Sequence, residues 1–62
     1  MLNRERLGVQ EELNGIRAEL ENAYLRFDGI SDPELMDACI YEISALRAHY
    51  NSTMKRMKCL YS

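Results

Sequence analysis

Asp28-Gly29-Ile30-Ser31-Asp32-Pro33 decides the fold, because helix-breaking and helix-capping residues gather nowhere else along the 62 residues. Proline lacks an amide proton and is tolerated in a first helical turn, glycine closes helices, and serine and aspartate cap them. Gly29 is expected to take the left-handed conformation that ends a helix at low steric cost. Two registers compete for the restart. In one, Ser31 and Glu34 form a capping box, with Ile30 and Leu35 at the positions of a hydrophobic staple. In the other, Asp32 is the cap and Pro33 the first helical residue, where its missing donor costs nothing. Either way, one helix ends near Asp28 and a second begins near Asp32.

Working outward toward the N-terminus, apolar residues fall at Val9, Leu13, Ile16, Leu20, Ala23 and Phe27. The alternation of four- and three-residue steps is that of one buried helical stripe. Carried further back, the register lands on Arg6 and Leu2, which predicts that the first turns are frayed or solvated. Gly8 and Gly15 weaken this helix by about 1 kcal/mol each relative to alanine.

Toward the C-terminus the stripe resumes at Met36, Ile40, Ile43, Tyr50, Met54, Met57 and Tyr61, with Arg47 its one polar member. A second row, Leu35, Cys39, Leu46 and Leu60, runs beside it. This apolar face is wider than one short helix can cover. The reading is an all-α single domain over residues 1–62, a two-helix antiparallel hairpin. Helix one covers about residues 3–28, the turn 29–31 and helix two about 32–58. The surplus face predicts a homo-oligomer, a dimer closing a four-helix bundle. Its interface would draw on Met36, Ile40, Tyr41, Ile43, Ala45, Tyr50, Met54 and Met57. Asp37, Tyr41, Ser44, Ala45 and Ala48 form a further face whose small residues permit close helix packing.

Composition narrows the function. So short a chain buries little surface, and neither metal nor disulfide is evident as a staple. Cys39 and Cys59 lack Cys-x-x-Cys spacing, and on one helix they would stand about 30 Å apart at roughly 1.5 Å per residue. They are expected to stay reduced, which suits the cytoplasm. The opening residues Met1 to Arg6 are charged early and precede no apolar core, so no signal peptide is read. No run approaches the roughly 18 apolar residues of a membrane span. Ten acids against eight bases disfavour a dedicated nucleic-acid binder. The one basic patch is Lys55, Arg56 and Lys58, which suits the negative end of a helix dipole.

No catalytic set assembles. His49 is the only histidine and lies beside the stripe, and Ser44, Ser52 and Thr53 have no base and acid placed around them. Asp32, Glu34 and Asp37 read as caps and dipole partners in a first turn, because the glycine and ligand spacing of a calcium loop is missing. No cofactor is implied. Met54 and Met57 suit core or interface space.

The run Ala23-x3-Phe27, Asp32-Pro33-Glu34-Leu35-Met36-Asp37, then Ile40-Tyr41-Glu42-Ile43-x-Ala45, Tyr50 and Lys55 resembles the YaaL-like family. These are small proteins of spore-forming and related Gram-positive bacteria. The resemblance spans roughly Leu13 to Lys58, with Ser44 in place of an expected asparagine and Ser52-Thr53 in place of bulkier apolar residues. It implies a bacterial cytosolic helical protein and supplies no activity. Ile40 to Leu46 with Tyr50 is also similar to the helical-hairpin phosphatases of the sporulation response regulator. Their Ser-Gln-Glu-Leu-Asp signature is broken here, by Ile40 for the serine and Ser44 for the aspartate. The expected function is therefore a non-enzymatic interaction protein with a protein partner or a second copy. The alternatives are a regulator of a phosphorylated response regulator and a weak accessory on nucleic acid or anionic surfaces.

Overall fold

Two long helices need burial along their whole length, and a three-residue connection lets each supply it to the other. The computed structural model describes the backbone of residues 2–61 and the side chains of residues 4–60. Helix α1 spans Leu2–Gly29, helix α2 spans Pro33–Tyr61, and they pack as an antiparallel hairpin. Both run beyond the ends read from the sequence, about residue 28 for α1 and 58 for α2.

The junction selects one cap. The Glu34 amide donates to Asp32 Oδ1 at 2.9 Å, and the Met36 amide donates to the Asp32 carbonyl at 2.9 Å. Asp32 is thus the N-cap and Pro33 the first helical residue. Gly29 does not adopt the expected left-handed conformation; no glycine has a positive φ. Instead the Ile30 amide donates to the Phe27 carbonyl at 3.3 Å, closing the last turn with an i−3 bond. That bond satisfies a terminal carbonyl without a reversal of φ.

The core is one seam. On α1, Val9, Leu13, Ile16 and Ala23 are buried, and Leu20 and Phe27 are half-buried, in the register read from the sequence. On α2 the seam takes Met36, Cys39, Ile43, Leu46, Tyr50, Thr53, Met57 and Leu60, stepping three and four throughout. It therefore borrows Cys39, Leu46 and Leu60 from the second apolar row and turns Ile40 outward. Met57 closes on Val9 and Leu13, with Tyr50, Met54 and Leu60 packed against them. Met57 is thus spent within the hairpin and is withdrawn from the expected intermolecular interface.

Two polar groups enter this seam with their hydrogen bonds made. Thr53 is fully buried, and its hydroxyl donates to the His49 carbonyl one turn back at 2.9 Å. The buried Cys39 thiol donates to the Ala23 carbonyl across the seam at 3.3 Å. Both cysteines are thiols, Cys39 buried and Cys59 exposed. Arg6 is not solvated as its register position suggested. It is half-buried, and its guanidinium donates to the Leu60 carbonyl at 3.2 Å. A cation thereby meets the carbonyl end of α2, where the helix dipole is negative.

A single seam makes a rod. Its extents are 47 × 14 × 11 Å, and its radius of gyration is 14.4 Å, against roughly 10.6 Å for a compact chain of this length. The accessible surface is 4921 Å², against roughly 4,100 Å² expected of a compact protein of this mass.

Asp32→Ala is expected to cost about 1 kcal/mol by urea unfolding while Ser31→Ala stays within about 0.5 kcal/mol of the parent; a larger loss at Ser31 than at Asp32 would return the cap to Ser31. Gly15 lies mid-helix with nothing within 4 Å of an added Cβ. Gly15→Ala should therefore stabilise the hairpin by about 0.5–1 kcal/mol, seen as a later urea midpoint at unchanged slope.

Candidate functional site

The seam leaves two flanks, and they differ in how their charges are paired. On one flank the charges bind each other. Arg26 pairs with Glu42 across the helices, and the Arg56 guanidinium grips both oxygens of Glu12, at 3.1 and 3.4 Å. His49 Nε2 also lies 3.3 Å from Glu12 Oε1. The Arg56 hydrogen bond, helped by its charge and by His49, holds Glu12 below the usual carboxylate range despite some desolvation. The expected basic patch is accordingly not a unit: Arg56 belongs to this ion cluster, while Lys55 and Lys58 stay exposed.

The other flank carries a shallow groove of about 440 Å³ lined by Arg17, Leu20, Glu21, Tyr24, Arg47, Tyr50 and Asn51. The Arg17 guanidinium donates to the Tyr50 hydroxyl at 3.3 Å, and that bond holds Arg17 above the usual guanidinium range. Glu21, one turn along α1, adds a weaker attraction. Arg47 makes no ion pair with any described residue. Two guanidiniums thus share a groove that holds one carboxylate.

Six large apolar side chains are exposed among the described residues, and five of them, Tyr24, Leu25, Leu35, Ile40 and Tyr41, lie between residues 24 and 41. The apolar surface therefore gathers at the turn end. Tyr41 is 76% exposed, and Tyr24 and Ile40 are each 46% exposed. Of the residues expected at an interface, Ile40, Tyr41 and Ala45 are exposed. Met36, Ile43, Tyr50 and Met54 are half-buried, and Met57 is buried. Asp37, Ser44 and Ala48 are exposed on α2, as are Tyr41 and Ala45.

Sequence reasoning missed Arg17 and Tyr24 altogether. The signal was there: Arg17 and Tyr24 stand seven residues apart on α1, as Ile40 and Arg47 do on α2, each pair on one row beside the buried stripe. No described residues form a group of three or more histidine, cysteine, aspartate or glutamate side chains able to hold a metal. Among the described residues no helix is long and apolar enough to cross a membrane. No family model, curated protein or solved structure matches the chain.

Glu12 ionises more readily folded than unfolded, so its bridge adds stability above the ordinary glutamate value of about 4.3, lost as pH falls through the folded value. Glu12→Gln should unfold at lower urea than the parent near pH 7, and the gap should narrow as the pH is lowered below about 4.3. An equal gap throughout would show that the Glu12 charge contributes nothing.

Proposed function

We propose that the chain is a small non-enzymatic interaction protein that self-associates through helix α2 and the turn end, two hairpins closing a four-helix bundle. The observation that carries this reading is the crowding of Tyr24, Leu25, Leu35, Ile40 and Tyr41 in exposed positions at one end of a two-helix rod. These side chains are spread around the turn end, with Leu35 beside Arg26 and Glu42 on one flank and Tyr24 beside Arg47 on the other, and exposed apolar side chains gathered at one end mark interaction sites on small proteins. A cytoplasmic bacterial setting and membership of the YaaL-like family belong to the same proposal, and rest on the residues from Leu13 to Lys58 that carry that resemblance.

Sedimentation at about 10–200 μM, around the micromolar affinities common for such surfaces, should give a species of twice the 7.2 kDa chain mass. Ile40→Ser with Tyr41→Ser should weaken association at least about tenfold, since each side chain contributes up to about 1.5–3 kcal/mol when buried. Helicity by circular dichroism should be unchanged, both residues being exposed. A monomer across the whole range would overturn the reading.

A further inference from the structure

We propose that the second copy packs antiparallel on the flank bearing Arg17, Tyr24, Ile40 and Arg47, with Arg17 and Arg47 of each copy meeting Asp28 and Asp37 of the other. This rests on the self-association reading and adds to it the face and the direction of packing.

The order of chemistry along this flank is the argument. Arg17, Tyr24 and Arg47 line one groove, and Ile40 lies two turns from Arg47 on the same row of α2. One further turn toward the connection come Asp28, four residues beyond Tyr24, and Asp37, three residues before Ile40. From the open end to the turn, the flank therefore reads net basic, with Arg17 and Arg47 against Glu21, then apolar, then acidic. The arginines stand about 10 Å from the apolar centre and the aspartates about 4.5–6 Å on its other side. Long arginine stems span that difference.

These charges have no ion pairs at home. Asp28, Asp37 and Arg47 make none with any described residue, and Arg17 hydrogen-bonds the Tyr50 hydroxyl, with only a weaker attraction from Glu21. The opposite flank, by contrast, pairs Arg26 with Glu42 and Arg56 with Glu12. A two-fold axis through the Tyr24–Ile40 centre lays basic on acidic twice, which is the self-complementarity an isologous dimer requires. Parallel packing would instead set four guanidiniums together, and like-charge contact of that kind is what excludes a wrong arrangement.

A charge-swap cycle tests this on the full chain. Sedimentation would be compared for the parent, Asp37→Arg, Arg47→Asp and the double variant, whose net charge equals the parent's. All four positions in the dimer are exposed on the hairpin, and circular dichroism checks that each variant keeps its helices. Each single variant should weaken self-association at least tenfold, and the double variant should return to within about threefold of the parent. A dimeric parent whose single variants associate normally, or whose double variant is no better than either single, overturns the arrangement and leaves self-association standing. A monomeric parent overturns both.

Discussion

Two helices joined by three residues have only one surface on which to bury anything, and that limit governs the rest of the structure. Each helix gives one stripe, the stripes meet in a single seam, and every other side chain stays at a flank or on a back face. The seam tolerates polar atoms where their bonds are local or already in line. Thr53 turns its hydroxyl onto its own helix, and Cys39 meets the carbonyl of the small Ala23. Arg6 extends the seam to the open end by meeting the last carbonyls of α2, a place where an apolar residue would leave an acceptor unmet.

The same limit explains what was readable in advance. The first helix has one apolar row, so its seam admitted only one reading, and Val9 to Phe27 are where that reading puts them. The second helix has two adjacent rows, and sequence alone gives no reason to prefer Met36-Ile40-Ile43 over Met36-Cys39-Ile43. The choice is made by the partner helix, whose small Ala23 admits Cys39. Thr53 was overlooked because its polarity hides it from an apolar count, though a β-branched hydroxyl that bonds one turn back is sterically close to valine. The hairpin itself was legible from Asp28 to Pro33, yet the way α1 ends was not. Glycine permits the left-handed exit and does not compel it.

The candidate site was legible only in part, for a reason of the same kind. Ile40 and Tyr41 stand out as apolar residues, whereas Arg17 and Arg47 look like ordinary solvated charges until the fold shows which of them find partners. One flank resolves its charges within the chain and the other does not. An exposed ion pair contributes little to stability, typically 0–1 kcal/mol, so stability gives scant reason for pairing on one side and none on the other.

Specificity gives a better one. In the proposed dimer, affinity comes from the Tyr24 and Ile40 centre, whose burial is worth more than any exposed pair. Apolar contact alone is indifferent to direction, however: two rods of 47 Å with one sticky end could join in parallel, antiparallel or staggered arrays. Charges placed on either side of the apolar centre remove that freedom, because only one direction brings unlike signs together. They also limit growth. An isologous contact uses the same flank of both copies, so once formed it leaves no second copy of that flank free to continue a fibre.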